Sequence, residues 1–248
     1  MSGRIGPNYR NVVISDGLFI YFDAYRFDSY PRTGDIWYDL TANSNHSTLY
    51  NGPLFNYGNV GRILFDGVND YGESGAGSIG SDSSDYSWQI WIKPNTISTS
   101  YFISRGQDYS GSGWSLLTGI YGITQKYWVG VVINEPQPPP ANYGYSGHDV
   151  FSTTDASTSN WVNITGVYKK DTDIKIYING ILEGTTALPS SYTLRPSTKG
   201  WLLAAYPGGN YYSQLGNGYY GQILVYNREL NASEVLENFN GTKDRFEL

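Results

Sequence analysis

Cysteine is absent from this chain of 248 residues, and methionine (one) and histidine (two) are nearly so. Without cysteine the chain can form no disulfide, no cysteine-ligated zinc site, no iron–sulfur cluster and no thiol nucleophile. His46 and His148 are too few for a metal centre built from several imidazoles. A chain of this length buries enough surface to fold without such cross-links. These scarcities exclude disulfide scaffolds and thiol chemistry.

Charge and long apolar runs are also scarce. Only 15% of the residues are charged, and 16 basic against 22 acidic residues give a net charge of −6. An acidic chain lacks the basic surface that nucleic acids require, so we expect no nucleic acid partner. No stretch approaches the roughly 20 apolar residues that span a bilayer, and residues 1–8 lack the apolar run of a signal peptide. We therefore expect synthesis in the cytoplasm and no membrane insertion.

Tyrosine and glycine are abundant, at 24 and 30 residues, which is typical of an all-β protein with many turns. The clearest strand covers residues 86–93, where Trp88, Ile90 and Ile92 occupy alternate positions. This period of two predicts a half-buried strand. Trp91 breaks the alternation, which indicates that the other face is partly covered.

Two further local signals are strong. Asn179-Gly180 lies between two apolar runs and supplies the positive φ angles of a type I′ hairpin turn. Residues 231–239 form the one credible helix, with Asn231 as N-cap and Glu234 as its capping-box partner. About a dozen strands separated by turns predict a two-sheet sandwich.

Several segments, in order, resemble the laminin-G-like, concanavalin A-like jelly-roll family; they are residues 16–24, 37–43, 63–71, 86–94, 175–180 and 221–235. The resemblance implies an all-β, LamG-type jelly-roll sandwich of two antiparallel sheets with one short C-terminal helix. Residues 17–248 are expected to form this domain, and residues 1–16 an N-terminal arm. The opening is most similar to versions encoded by tailed phages and marine bacteria. Where the family usually has an acidic pair before the final strand, this chain has Gln222.

An enzymatic role is not expected. Glycoside hydrolases with this fold use two carboxylates, and related enzymes carry Glu-x-Asp-x-x-Glu on one strand, which places the acids on one face. None of the seven glutamates has that spacing. Glu234 and Glu237 fall on the predicted helix, where we expect them to be solvated. Neither histidine lies in a triad motif, and loop packing or exposure is expected for both.

A calcium site is one interpretation of Asp66, Asn69 and Asp70, which cluster around a tight turn at Gly67. Calcium takes six to eight oxygen ligands from such loops, and members of the resembled family often hold calcium at a sheet edge. The alternative is that Asp66 and Asn69 bind the backbone of their own turn, which is common for Asx residues. The sequence favours this alternative.

A carbohydrate site is suggested by aromatic residues in loop-like surroundings, because aromatic rings stack on the apolar faces of sugars. The candidates for carbohydrate or partner binding are Tyr143, Tyr145, Tyr211, Tyr212 and Tyr219, with Tyr220 next to them. The same composition also suits adaptable protein-binding loops, and tyrosines can equally cover sheet faces or subunit contacts. Four tryptophans lie in strand patterns and are expected in the core, namely Trp88, Trp91, Trp128 and Trp161.

The sequence thus predicts a non-catalytic binding or structural module. The first hypothesis, from the phage-like opening, is a virion structural protein, either a decoration or a tail or fibre component, that displays a lectin-like domain. Its partners would be other virion proteins or further copies of itself, and its location the virion. The alternative is a bacterial carbohydrate-binding module or lectin at the cell surface, with calcium as the one candidate cofactor and a cell-surface glycan as partner.

Overall fold

A computed structural model describes residues 13–58, 60–75, 82, 84–107, 113–136, 143–195, 200–206 and 215–248. Side chains are described for the same residues except 107, 113, 114, 134–136 and 143–146. Within these ranges no helix has the length and apolar character needed to cross a bilayer.

Most of the described residues lie in β-strands. Two helices follow the last strand, α1 (Ala232–Asn240) and a short 3-10 helix (Lys243–Phe246). The strands are β1 (Leu18–Asp23), β2 (Ile36–Trp37), β3 (Ser47–Tyr50), β4 (Leu54–Asn56), β5 (Arg62–Asp66), β6 (Tyr71–Ser74), β7 (Tyr86–Pro94), β8 (Ser100–Gln107), β9 (Gly113–Tyr121), β10 (Lys126–Pro136), β11 (Tyr143–Asp155), β12 (Val162–Lys169), β13 (Asp173–Ile178), β14 (Ile181–Ala187), β15 (Thr193–Leu194), β16 (Trp201–Leu203) and β17 (Asn217–Tyr226).

These strands form two antiparallel sheets. The first sheet has eight strands in the order β14-β13-β12-β7-β17-β5-β4, with β1 also paired to β17. The second has nine strands in the order β11-β10-β9-β8-β16-β6-β3-β2, with β15 paired to β10. One apolar cluster draws buried side chains from both sheets and forms the core between them. The predicted all-β sandwich of two antiparallel sheets with one short C-terminal helix is confirmed.

The central strand β7 is buried on both faces, so the prediction of a half-buried strand is wrong. Trp88, Ile90 and Ile92 enter the main core as their alternation predicts. Trp91, on the opposite face, is also fully buried. Its ring lies 4.2 Å from the ring of Phe246 and 5.7 Å from that of Phe239. The C-terminal segment therefore covers the outer face of the eight-stranded sheet, a contact that the pattern of β7 alone does not reveal.

A buried ion pair links this C-terminal segment to the first strand. Arg245 Nη1 lies 2.7 Å from Asp23 Oδ1, and both side chains are 0% exposed. Gln222 Nε2 donates a hydrogen bond to Asp23 Oδ2 at 3.2 Å. A carboxylate at position 222 would place a second negative charge beside Asp23 in a low-dielectric setting, which is costly. The amide of Gln222 therefore suits this position.

Both local turn and cap signals are confirmed. Asn179 and Gly180 have φ angles of 51° and 78°, as a type I′ hairpin requires. The side chain of Asn231 accepts hydrogen bonds from the backbone amides of Ser233 and Glu234, and Glu234 completes the capping box. Glu234 also pairs with Arg228 at 2.8 Å, so the expectation that it is simply solvated is wrong.

Removing the N-cap should weaken the protein measurably. In Asn231→Ala two backbone amides lose their acceptor, and we expect the free energy of unfolding to fall by about 1 kcal/mol. Urea denaturation followed by circular dichroism measures this change. Asn240→Ala, at the exposed far end of the same helix, is the matched control and should be close to wild type. Equal stability of both variants would contradict the role of the cap.

Strand β11 is the largest element that the sequence does not predict. It pairs with β10 along most of its length, from Tyr143 opposite Pro136 to Asp155 opposite Lys126. His148, placed in a loop by its Gly/Tyr surroundings, therefore lies in a strand. Glycine-rich polar segments carry a weak strand signal, because β-propensity depends on cross-strand neighbours that the local sequence does not show.

The described part of the predicted arm lies against the domain. The backbone amide of Ile14 donates to Asn238 Oδ1 at 2.7 Å, and the hydroxyl of Tyr226 donates to the carbonyl oxygen of Ile14 at 3.0 Å. Val13 and Ile14 pack on the apolar cluster under α1. Residues 1–12 of the predicted arm lie outside the described residues.

Candidate functional site

The outer face of the nine-stranded sheet, which points away from the core, carries a cluster of aromatic rings. Strand β10 explains how it arises, because successive side chains of a strand point to opposite faces. Tyr127 and Val129 enter the core. Trp128, between them, joins a separate cluster with Tyr101 and Leu117 on the other side of the sheet. We define the aromatic face as Tyr101, Tyr121, Trp128, Phe151 and Tyr206.

Within the aromatic face one exposed ring rests on a buried one. The Phe151 ring is stacked on that of Trp128, with centroids 6.2 Å apart and planes 12° apart. Phe151 is 37% exposed and Trp128 only 5%. The rings of Tyr101 and Tyr121 lie 5.9 and 6.0 Å from that of Trp128, and the Tyr206 ring lies 4.8 Å from that of Tyr101. Phe151 is therefore presented to solvent on a rigid support.

The register of four neighbouring strands, β8 to β11, assembles this cluster. Trp128 lies opposite Phe151 on one side and opposite Gly119 on the other, and Tyr101 also pairs with Gly119. A Cβ atom on Gly119 would lie 2.1 Å from the carbonyl oxygen of Ser100 and 3.2 Å from Trp128 Nε1. Glycine at this position thus allows the Trp128 ring and the backbone of β8 to approach each other closely.

A carboxylate lies beside these rings. Asp149 is two residues before Phe151 on β11 and opposite Gly130, and the residue remains exposed. Burial of its carboxyl group nevertheless raises the pKa of Asp149, and the nearby His148 partly opposes this. Burial also raises the pKa of Tyr101 to about 12, with smaller contributions from Tyr206 and Asp149. An apolar ring face next to a hydrogen-bond acceptor is an arrangement that suits a sugar.

Of the tyrosines predicted as binding residues, those that the structure describes lie on two strands of different sheets. Tyr143 and Tyr145 lie on β11, not in a loop, at two-residue steps along the strand from Asp149. Only their backbone is described. Tyr211 and Tyr212 lie outside the described residues.

The other two tyrosines are on the opposite sheet, in β17. Tyr220 is 0% exposed and belongs to the core, so its place among the candidates is corrected: it points between the sheets. Tyr219 is partly exposed, and the guanidinium carbon of Arg62 lies 4.3 Å from the centre of its ring. Tyr219 therefore cannot share a site with the residues of β11.

The predicted calcium ligands form a hydrogen-bonded turn. Asp66 Oδ1 accepts hydrogen bonds from the backbone amides of Val68, Asn69 and Asp70 at 2.7, 3.2 and 3.4 Å. Asp70 Oδ2 accepts one from the amide of Asp66 at 3.1 Å. Burial by itself would raise the pKa of Asp66, but the backbone donors together outweigh it and hold the pKa below its usual value. No group of three His, Cys, Asp or Glu suited to a metal occurs among the described residues.

Calcium binding at this turn stays a prediction, and a thermal melt tests it. An ion that binds only the folded state raises the melting temperature of the protein. Calcium should therefore raise the melting temperature of the wild type relative to EDTA, and Asp70→Asn should abolish that rise. Superimposable melts of the wild type with calcium and with EDTA would contradict the prediction.

Glu183 and Glu229 bind other groups of the protein and stabilise the fold. Glu183 accepts hydrogen bonds from the backbone amides of Thr153 and Thr154. Glu229 pairs with Lys169 at 2.9 Å and with Lys175 at 3.2 Å. The two Lys partners hold the pKa of Glu229 below its usual range against the effect of burial. Carboxylates engaged in this way are poorly placed to act as a general acid or a nucleophile.

Sequence reasoning missed most of the aromatic face. Trp128 was expected in the core and is indeed buried, as are Trp88, Trp91 and Trp161. Its stacking partner Phe151 lies just after a Gly/Tyr stretch with no clear strand pattern. Gly147, Asp149 and Phe151 are two residues apart and would share one face of a strand. The local sequence does not show that this segment is a strand, and only its pairing with β10 does.

Comparison with solved structures gives the same fold. Domain 4 of AbnA, a GH43 extracellular arabinanase from Geobacillus stearothermophilus in complex with arabinotriose, has a TM-score of 0.61 at 15% identity, over 89% of this chain and 97% of that one. The binding domain of Paraclostridial Mosquitocidal Protein 1 has a TM-score of 0.64 at 15% identity, over 91% and 52%. The binding domain of botulinum neurotoxin serotype G has a TM-score of 0.62 at 16% identity, over 90% of this chain and 50% of that one. This chain thus spans about half the length of the toxin binding domains.

Comparison of sequences identifies the family. A search of the curated proteins found no match. The family model Laminin_G_3, described as the concanavalin A-like lectin/glucanases superfamily, matches residues 66–236. This match runs from the end of β5 into α1 and covers more than half of the chain. The protein therefore belongs to the Laminin_G_3 family of the concanavalin A-like lectin/glucanases superfamily.

Proposed function

We propose that this protein is a non-catalytic carbohydrate-binding domain that binds a glycan on its aromatic face. The observation that carries the proposal is the exposed Phe151 ring, which is stacked on the buried Trp128 and lies two residues after Asp149 on β11. The fold of the solved relatives adds support, since one is described in complex with arabinotriose and another, a botulinum neurotoxin DC binding domain, in complex with SialylT.

The physical argument rests on preorganisation. A ring that is already held in place loses little conformational freedom when a ligand stacks on it, so more of the contact energy appears as affinity. Phe151 is supported by Trp128 and Tyr121, whose rings lie 6.2 and 5.7 Å away. Asp149 can accept hydrogen bonds from sugar hydroxyls beside the ring. Together these groups fit a ligand with one apolar face and a polar edge.

The first test is a glycan array, run with calcium and with EDTA, followed by calorimetry on the best glycan. Phe151→Ala should weaken binding about tenfold or more, equivalent to about 1.4 kcal/mol. Phe27→Ala is the matched control, because Phe27 is 64% exposed and lies outside the aromatic face. Equal affinity of the wild type and Phe151→Ala would overturn the proposed face, and loss of binding in EDTA would add metal to the site.

The proposal also predicts a dependence on pH. Since burial raises the pKa of Asp149, its carboxylate is protonated at a higher pH than an ordinary aspartate, near 4. Affinity should fall as the pH is lowered through that raised value, because the protonated carboxyl accepts hydrogen bonds less well. Calorimetry across this range measures the step. Asp149→Asn should bind more weakly at neutral pH and lack the step, while His148→Gln should retain it.

The virion setting is a finer proposal, supported by the resemblance of the opening segment to phage-encoded versions. On this proposal residues 1–12 dock to other virion proteins, and the bacterial cell surface is the alternative location. Deletion of residues 1–12 should abolish incorporation into particles and leave melting unchanged, because the contacts of Ile14 with Asn238 and Tyr226 remain. Normal incorporation of this deletion would contradict the anchoring role.

The absence of catalysis is likewise part of the proposal. Incubation with the best glycan from the array should release no shorter products. Turnover that is lost on changing a single glutamate would overturn the non-catalytic assignment.

A further inference from the structure

A second concave site lies on the opposite side of the sandwich. A cavity of about 350 Å³ opens on the outer face of the eight-stranded sheet, next to the C-terminal segment. Its walls include Arg62, Lys93, Asn160, Trp161, Phe246 and Glu247. These residues come from two strands, the loop before β12 and the chain end, so the folded sandwich alone assembles them.

Strand register places the two cations together. Tyr219 on β17 lies opposite Lys93 of β7 on one side and opposite Leu64 of β5 on the other, two residues from Arg62. The guanidinium carbon of Arg62 lies 4.3 Å from the centre of the Tyr219 ring. A guanidinium over the face of an aromatic ring is attracted by the ring and can still donate hydrogen bonds to another group. Tyr219 therefore orients Arg62 beside the cavity that both cations line.

No carboxylate among the described residues pairs with either cation, although Glu247 lines the same cavity. Within the described residues neither Arg62 nor Lys93 forms an ion pair, and the buried Nε of Arg62 has no hydrogen-bond partner. Arg245 and Arg228, by comparison, are paired with Asp23 and Glu234. A buried donor without a partner lowers the stability of the folded protein. An acceptor from outside the chain would restore that stability.

The remaining walls define the rest of the ligand. Ser159 and Asn160 offer a hydroxyl and an amide, which exchange hydrogen bonds with sugar hydroxyls. Trp161 and Phe246 supply apolar surface, although they are only 7% and 1% exposed. Glu247 is exposed and its carboxylate opposes an anion. The cavity is thus cationic on one wall, polar on a second and apolar on a third, and its volume matches small-molecule pockets.

We propose that this cavity is a second ligand site that binds a carboxylated sugar residue, with Arg62 and Lys93 holding the carboxylate. Arginine matches a carboxylate with two parallel hydrogen bonds, which lysine supplements as a point charge. The site is independent of the aromatic face, because the two lie on different sheets. It assigns to the protein a preference for acidic over neutral sugars that the aromatic face does not supply.

The test uses D-glucuronate as probe and D-glucose as its neutral match, with acetate and inorganic phosphate as anions without a sugar ring. Calorimetry should show that glucuronate binds at least about tenfold more tightly than each of the other three. Arg62→Gln and Lys93→Gln should each reduce glucuronate affinity severalfold, whereas Glu247→Gln should increase it. Phe151→Ala should leave it unchanged, which separates this site from the aromatic face.

Each contrary result has a definite meaning. Equal binding of glucose and glucuronate, or wild-type affinity in both Arg62→Gln and Lys93→Gln, would overturn the site. Acetate or phosphate binding as tightly as glucuronate would overturn the sugar assignment. Loss of glucuronate binding in Phe151→Ala would place the ligand on the aromatic face instead. Melting curves of the variants establish that they are folded, and Lys93→Gln retains the Arg62–Tyr219 contact.

Discussion

Arg245→Met should lower the free energy of unfolding by about 3–5 kcal/mol, because it leaves the Asp23 carboxylate buried without its cation. Arg245 Nη1 donates to both oxygens of Asp23, at 2.7 and 2.8 Å, and both side chains are 0% exposed. The hydrogen bond from Gln222 to Asp23 does not carry the missing charge. Urea denaturation monitored by tryptophan fluorescence measures the loss.

The control for this effect is an exposed ion pair of the same type. Arg26 and Asp28 are 42% and 57% exposed, and surface pairs contribute at most about 1 kcal/mol. Arg26→Met should therefore be close to wild type. The double variant Asp23→Asn with Arg245→Met should recover much of the lost stability, since neither member of this pair is then charged. A loss below about 1 kcal/mol in Arg245→Met would show that Asp23 reaches solvent or another cation.

Trp91→Ala should destabilise the protein by a similar amount, about 3–5 kcal/mol, through loss of apolar burial and the cavity left behind. Trp91 is 0% exposed, its ring lies between those of Phe239 and Phe246, and its Nε1 donates to Thr242 Oγ1 at 2.9 Å. The C-terminal segment should also become more accessible to protease, because Trp91 contacts it through two rings and one hydrogen bond.

Trp91→Phe is the matched variant. It keeps a ring in the stack and removes the hydrogen bond to Thr242, so we expect a smaller loss, about 1–2 kcal/mol. Limited proteolysis and urea denaturation should rank the variants in the same order. If Trp91→Ala and Trp91→Phe are equally stable, the stack with Phe246 does not hold the C-terminal segment. Because Phe246 also lines the cationic cavity, detachment should weaken glucuronate binding as well.

Elements with strong local signals were predicted correctly. The hairpin at Asn179-Gly180 depends on two positive φ angles that these two residue types adopt readily. The start of α1 depends on a cap that Asn231 and Glu234 form within a single turn. Strands β1, β5 and β7 are rich in apolar strand-forming residues, so the local sequence predicts them without information about their partners.

Elements that depend on distant partners were predicted less well. The chain shows 17 strands within its described part, whereas about a dozen were expected. Several of the additional strands are short or polar, such as β6 and β11, and pairing with a neighbour is what stabilises them. Trp91 indicated that the outer face of β7 is partly covered, but the complete burial of that face was not predicted, because its cover comes from residues about 150 positions later, near Thr242.

The candidate sites divide in the same way. The sequence by itself determined the family, through the resemblance of several segments to its members. It also determined the sandwich, the cap, the hairpin and the burial of four tryptophans, which follow from composition, turn chemistry or short-range periodicity. Only the tertiary structure decided that Phe151 rests on Trp128, that Tyr220 points inward while Tyr219 points outward under Arg62, and that Arg62 and Lys93 share one cavity. The physical reason is register: side chains alternate between faces, so a shift of one residue moves a candidate from a binding surface to the core.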